Sequence, residues 1–288
     1  ILALTFGYTM IVAESALGRM TRKSPVGAFR SFAKGKKVGW LSFGGWINAI
    51  IPVLIVPYYS VIGGWVVKYL FEYIRGNGSK LAEDGYFSGF ISNGGATEIC
   101  FVIFCMFTLV IIYAGVQNGI ERVSKIMMPI LIVLSVIIAI YSVTRPGAIE
   151  GVKYFLVPNV KNFSWMTVVA AMGQMFYSLS IAMGILVTFG SYMRKDTSIE
   201  DSTRNVEIFD TAIAMMAGLM IIPAVFAFSG GDPDTLQAGP SLMFITIPKV
   251  FANMGFGTAV GILFFVLVLF AAVTSSIALT ESAVSTFE

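Results

Sequence analysis

The stretch that decides the fold is Gln174-Met-Phe-Tyr-Ser-Leu-Ser-Ile-Ala-Met-Gly184, near the middle of an uncharged interval that runs from Asn162 to Met193. As one straight helix this interval would extend about 48 Å, well beyond a bilayer core of about 30 Å. The stretch places the hydroxyls of Ser178 and Ser180, and then a glycine, about halfway across. Two interpretations stay open: an unwound helix that offers backbone groups to a cation and a polar ligand, and a long tilted helix whose serines bond to their own i−4 carbonyls.

The composition of the chain excludes a soluble globular domain. Of its 288 residues, 57% are hydrophobic and 12% are charged, with a mean hydropathy of +0.83, whereas soluble domains carry about 25% charged residues. Charge-free intervals of membrane-spanning length predict about seven transmembrane helices, and hence an all-α polytopic membrane protein. The intervals are 1–13 (long enough if Glu14 lies inside the helix), 38–67, 99–120, 126–144, 162–193, 211–231 and 250–280.

Lysine and arginine predict the orientation in the membrane. The connection 19–37 is the most basic part of the chain, and short basic connections stay in the cytoplasm. Its basic residues are Arg19, Arg22, Lys23, Arg30, Lys34, Lys36 and Lys37. Alternation then places the loops around 75–97, 145–161 and 232–249 outside. The last of these contains an apolar patch from Leu242 to Val250, for which a short re-entrant or surface helix and a plain loop are both open.

Three carboxylic acids lie inside predicted spans, where ionisable groups are costly and therefore functional candidates. They are Glu14, Asp210 and Glu281. In the alternative interpretation, Glu14 ties two helices together through backbone hydrogen bonds, while Asp210 and Glu281 snorkel at helix ends. The chain has no histidine, and its two cysteines share one apolar run, so neither a metal centre nor a disulfide framework is indicated. It also lacks the basic block that would indicate a nucleic-acid partner.

Two further polar clusters lie within the apolar sequence. Ala271-Ala-Val-Thr-Ser-Ser276 places the hydroxyls of Thr274 and Ser275 beside small residues, which suits either close helix packing or a hard-cation site. Pro57-Tyr58-Tyr59 puts two phenols in the middle of the second span. A tyrosine hydroxyl in an apolar bundle needs a partner, so we expect at least one of them to face a polar cavity.

Taken in order, these clusters resemble the neurotransmitter:sodium symporter family, in particular its bacterial amino-acid transporters. The motifs that carry the resemblance are Glu14-Ser-Ala-Leu-Gly-Arg19, Tyr58-Tyr59 with Trp65, Gln174 to Gly184, Ser191-Tyr-Met-Arg-Lys-Asp196, Ile222-Pro-Ala-Val-Phe-Ala227 and Thr274-Ser-Ser-Ile-Ala278. The resemblance covers nearly the whole chain, as family helices two to eight. It implies an inverted-repeat, broken-helix fold of the leucine-transporter type, with residues 1–288 forming a single transmembrane transporter domain that is incomplete at both ends.

The resemblance also implies roles for individual residues around an amino-acid substrate. Tyr59 is similar to the tyrosine that holds the substrate carboxylate, Ser178 to a ligand that touches both that carboxylate and the first sodium, and Ser180 to the residue whose backbone meets the amine. The side-chain pocket would be lined by Ile55, Tyr177, Met183, Ser275 and Leu279, with Tyr177 as its outer lid.

Two sodium sites follow from the same resemblance, each only half present in this chain. Ser178 and Asp210 correspond to the first site. Ala271, through its carbonyl, Thr274 and Ser275 correspond to the second. A carboxylate at Asp210 supplies the negative charge that bound chloride supplies in other members, so we expect chloride independence.

Gating positions are implied in two places. Tyr192 resembles the tyrosine of the inner gate. Gly119 and Pro129 match a spacing associated in the family with unwinding of helix five, although a proline kink beside a loop glycine would give the same spacing. Glu14 and Glu281 are expected to be structural intramembrane acids.

The function implied is symport of sodium with an amino acid that is neutral and hydrophobic or aromatic. We expect a multi-pass protein of the bacterial inner (plasma) membrane, with the lipid bilayer, the amino acid and sodium ions as its partners. Two alternatives stay open: a sensor of the same fold that does not transport, and a proton-coupled amino-acid transporter. No carboxylate pair or nucleophile–base spacing supports an intramembrane enzyme.

Overall fold

The computed structural model describes residues 2–33, 40–158, 163–230 and 239–287, and these ranges are helical without any strand. The helices are α1 Tyr8–Thr21, α2 Pro25–Ala33, α3 Leu41–Ile74, α4 Gly78–Leu81, α5 Tyr86–Ser92, α6 Gly94–Tyr113, α7 Arg122–Val143, α8 Ala148–Leu156, α9 Trp165–Ser178, α10 Ile185–Tyr192, α11 Ile199–Ser229, α12 Ile247–Ala252 and α13 Gly257–Phe287. Three π-helical turns, Ala3–Gly7, Val116–Glu121 and Leu242–Thr246, lead into α1, α7 and α12. Lys34, Lys36 and Lys37 of the basic connection lie outside the described ranges.

Five helices of the described chain are long and apolar enough to cross a membrane. They are α3, α6, α7, α11 and α13, and they correspond to five of the seven predicted intervals. Their ends differ from the predicted ones, because helix continues through charged residues. Helix α3 continues to Ile74 with Lys68 and Glu72 paired at 2.6 Å, and α11 begins at Ile199 rather than near residue 211.

The other two predicted intervals have different forms. The first is the π-helical turn Ala3–Gly7 continued by α1, so Glu14 lies inside the helix as expected. The interval 162–193 is divided into α9 and α10, with non-helical chain between Ser178 and Ile185. The continuous tilted helix is therefore wrong, and the unwound helix is confirmed.

The helices are distributed over two compact units. The first comprises Ile1–Tyr58, Val160–Ala212 and Ser276–Glu288, and the second comprises Tyr59–Asn159 and Ile213–Ser275. Helices α3, α11 and α13 contribute residues to both. The single transmembrane domain expected over 1–288 stays a prediction.

In the first unit, α1 and α10 pack with their backbones in close contact. A Cβ atom added to Gly190 would lie 2.5 Å from the carbonyl oxygen of Ser15, and one added to Gly18 would overlap the carbonyl of Val187. Small residues allow this approach, which is typical of helix pairs in membranes. The contact holds the second half of the broken helix against α1.

Replacing Gly18 by alanine should therefore destabilise the protein. The added methyl group meets backbone atoms that cannot rotate away, and overpacking of this kind costs about 1–3 kcal/mol. We expect a lower thermal unfolding midpoint in detergent for Gly18→Ala. Gly89→Ala is the control, because a Cβ there meets no atom within 4 Å. Equal midpoints for the two variants would contradict the close packing.

The second unit has an aromatic core around α3 and α13. Tyr69, Phe244 and Phe265 are fully buried, and the Tyr69 hydroxyl donates to the carbonyl of Phe244 at 2.8 Å. Phe244 lies in the apolar patch Leu242 to Val250, which is helical and packed into this core, so the plain-loop interpretation is wrong. Helix α12 is tied by an ion pair at 2.5 Å, in which Lys249 donates to the exposed Asp84 and holds its pKa below the usual value.

Candidate functional site

The break between α9 and α10 is built from left-handed residues. Ser180, Ala182 and Gly184 have φ angles of +55°, +60° and +71°. This region is unfavourable for residues that carry a Cβ, and it persists only where the surroundings impose it. The amides of Ser180 and Ile181 still donate to carbonyls of α9, whereas those of Ala182 and Gly184 take partners outside the helix.

Two side chains from other helices hold the break in place. The amide of Ala182 donates to Glu14 Oε1 at 2.8 Å, and the amide of Gly184 donates to Asn48 Oδ1 at 3.2 Å. Gly184 must be glycine, because a Cβ there would lie 2.8 Å from Pro25 Cγ and 2.9 Å from the Asn48 carbonyl. In one of the two interpretations of the sequence, Glu14 ties two helices together through backbone hydrogen bonds. The contact with the Ala182 amide is a bond of this kind.

The role of Asn48 was not foreseen from the sequence. A signal was present, since Asn48 is the one side-chain amide in the interval 38–67. Polar side chains within a span commonly hydrogen-bond across helices, but nothing in the local pattern identifies the partner.

The break also brings together the two residues expected at the first sodium site. The Ser178 hydroxyl, at the end of α9, donates to both carboxylate oxygens of Asp210 on α11, at 2.8 and 3.0 Å. These residues are 32 positions apart in the sequence. Asp210 is thus held at the C-terminal end of α9. Together, Ser178 and Asp210 present three side-chain oxygen atoms within the first unit.

In the second unit, α13 gathers the other oxygen atoms. The Thr274 hydroxyl lies 3.0 Å from the carbonyl oxygen of Ala271 and 3.1 Å from that of Phe270. Ser275 follows directly and is exposed. Hydroxyl and carbonyl oxygens are the ligand types that a hard cation prefers, and the role of these residues in a second sodium site stays a prediction.

Residues 86–288 match the profile of the Sodium:neurotransmitter symporter family. The chain belongs to this family. It is 36% identical to a sodium-dependent transporter of Bacillus subtilis, YhdH, over 98% of the chain, and 32% identical to a sodium-dependent transporter of Haemophilus influenzae over 96% of it. It covers 62% of each of these relatives, so it spans about three fifths of their length.

A solved structure also superimposes on the chain. The crystal structure of MhsT in complex with L-phenylalanine matches it with a TM-score of 0.85 and 37% identity, over 99% of this chain and 64% of that one. The match confirms the predicted fold class. Together with the five apolar helices, family membership identifies an integral, multi-pass membrane protein.

The gating residues expected from the symporter family lie in both units. In the first, the Tyr192 hydroxyl donates to Glu281 Oε1 at 2.7 Å, and Glu281 is buried. In the second, Gly119 lies in a π-helical turn where a Cβ would overlap the carbonyl of Ile111. Helix α7 continues through Pro129 to Val143 without a break. Packing alone requires the glycine, and its part in gating stays a prediction.

The expected substrate-binding residues are likewise shared by the two units. Met183 and Leu279 of the first unit are buried, whereas Ile55 is half-buried and Tyr177 is about half exposed. Ser178 and Ser180 lie at the break. Tyr59 and Ser275 belong to the second unit.

Proposed function

We propose that the full-length protein is a secondary active symporter that couples the entry of sodium to the import of an amino acid. The observation that carries this proposal is the contact between the Ser178 hydroxyl and the Asp210 carboxylate at the break between α9 and α10. Ionisable groups inside a membrane protein are candidates for function, and transporters bind cations at oxygen atoms beside a break in a helix. The names of the two bacterial relatives, both sodium-dependent transporters, support the same interpretation.

Sodium is a hard cation and prefers oxygen ligands. Ser178 and Asp210 contribute to the first sodium site, and Ala271, Thr274 and Ser275 contribute to the second. Asp210 adds a fixed negative charge, so no bound anion is required to balance the first ion. The transporter is therefore expected to work without chloride.

The substrate is a neutral amino acid with a hydrophobic or aromatic side chain. Its amine meets the backbone of the break at Ser180, and its carboxylate meets the Tyr59 hydroxyl and the first sodium. The pocket lining of Ile55, Tyr177, Met183, Ser275 and Leu279 is largely apolar. The L-phenylalanine in complex with MhsT supports an aromatic substrate.

The driving force follows from the charge that moves. Each elementary charge that crosses 100 mV contributes about 2.3 kcal/mol, so two sodium ions with one zwitterion contribute about 4.6 kcal/mol before any concentration difference. Sodium and substrate should raise each other's affinity, because the carboxylate is a shared ligand and binding linkage is reciprocal. We place the protein in the bacterial inner membrane, with the connection 19–37 in the cytoplasm.

Uptake of radiolabelled phenylalanine by full-length protein in proteoliposomes tests the proposal. Replacing external sodium by choline should lower accumulation by about tenfold or more, because it removes the driving force. Replacing chloride by gluconate should leave accumulation unchanged. Sodium-dependent binding without accumulation would favour a sensor. Uptake that persists in choline and follows a pH gradient would favour a proton-coupled transporter.

A further inference from the structure

A cleft of about 600 Å³ opens on the first unit, between α1 and the segment that joins α10 to α11. Its floor is formed by Ala13, Ala16, Leu17 and Met20 of α1, and its mouth carries Arg19 and Lys195. None of the contacts described for the sodium and substrate sites involves these residues.

The floor of the cleft is a continuous apolar stripe. Positions 13, 16, 17 and 20 follow the i, i+3, i+4, i+7 spacing, so they share one face of α1. Two of the four are alanines, which leaves a groove along the helix, and Met20 is largely exposed at its end. The stripe is about 10 Å long, enough to contact part of an acyl chain.

The mouth of the cleft is cationic. Arg19 is fixed there by a hydrogen bond of 2.5 Å from Nη1 to the carbonyl oxygen of Thr197, which leaves most of its five N–H donors available. Lys195 is exposed and has no ion pair among the described residues. The neighbouring Arg194, by contrast, is paired with Asp196 at 3.3 Å. Within the described chain, no acidic side chain lines the cleft.

We propose that this cleft binds an anionic phospholipid of the cytoplasmic leaflet. The phosphate lies between Lys195 and Arg19, and one acyl chain lies along the stripe from Ala13 to Met20. Arg19 begins the connection 19–37, which is expected in the cytoplasm, and alternation of the spans places Lys195 on the same side. The cytoplasmic leaflet is negatively charged, and basic pockets between helices hold lipid headgroups. The combination of a cationic mouth with an apolar floor fits a lipid better than a free phosphate, which would use the mouth alone.

Retention of phosphatidylglycerol by the purified full-length protein, measured by native mass spectrometry in competition with phosphatidylcholine, tests the site. Lys195→Gln should weaken phosphatidylglycerol binding about fivefold, the equivalent of about 1 kcal/mol for one basic side chain near the headgroup. Ala16→Phe, which fills the groove without changing the charge, should also weaken it. Arg194→Gln is the matched control and should have little effect, because that arginine is already paired.

Three outcomes would overturn the proposal. Equal losses for Lys195→Gln and Arg194→Gln would show diffuse attraction of the basic face. Displacement of the lipid by inorganic phosphate alone would show a simple anion site, and equal retention of both lipids would show no headgroup recognition. Because Lys195 is exposed, Lys195→Gln should fold normally, so the test stands even if Ala16→Phe is unstable.

Discussion

Asp210→Asn should make sodium-driven uptake by the full-length transporter dependent on chloride. Asparagine retains an oxygen beside the Ser178 hydroxyl but removes the fixed negative charge. A unit charge about 4 Å away contributes about 4 kcal/mol at an effective dielectric constant of 20, so the apparent sodium affinity without chloride should fall by more than about tenfold. Adding chloride should restore much of it. The measurement is phenylalanine uptake as a function of sodium concentration, in chloride and in gluconate.

Asp201→Asn is the matched control for this variant. Asp201 lies on the same helix, α11, but is exposed and pairs with Arg204 at 2.9 Å, so its loss should not change either ion dependence. If Asp210→Asn keeps the sodium affinity of the unmodified protein in gluconate, Asp210 does not supply the compensating charge.

Glu14→Leu should weaken sodium-dependent substrate binding by about tenfold or more. Leucine has a similar size but no acceptor for the Ala182 amide, and a buried amide left without its partner costs about 1–3 kcal/mol. The left-handed residues of the break would then lose one of their two anchors. We expect a lower thermal midpoint and at least about tenfold weaker phenylalanine binding, the latter measured by scintillation proximity in sodium.

Glu14→Gln separates the hydrogen bond from the charge. Its amide oxygen still accepts from Ala182, so both losses should be clearly smaller than for leucine. Asn48→Leu removes the second anchor and should impair binding in the same way, through the Gly184 amide. Substrate affinity that is unchanged in Glu14→Leu would show that this contact does not maintain the site.

The sequence predicted the order of the five long apolar helices better than their ends. Charge-free intervals identify apolar runs, but they stop at each ionisable residue. Lys68 and Glu72 neutralise each other within α3, so the helix continues where the interval stops. In the interval 162–193 the absence of charge is compatible with one continuous helix, but the structure has a break between α9 and α10. Hydropathy measures the cost of burial, and it carries no direct information on backbone geometry.

The break itself could be predicted only as one of two alternatives. Ser180 and Ala182 are not residues that adopt left-handed φ angles readily, so no local propensity favours them there. The conformation depends on Glu14 and Asn48, which are far away in the sequence. The resemblance to a known family supplied what local physics could not, and for this reason the oxygen atoms at Ser178 and Asp210 were found while Asn48 was missed.

Equilibrium binding of radioactive sodium to the full-length protein tests the central claim most directly. If Ser178 serves the first ion and Thr274 the second, Ser178→Ala and Thr274→Val should each remove about half of the bound sodium, because each deletes an oxygen ligand of a hard cation. Ser92→Ala, whose hydroxyl bonds only within its own short helix, should bind as the unmodified protein does. Full sodium binding in both site variants, with unchanged affinity, would contradict the account.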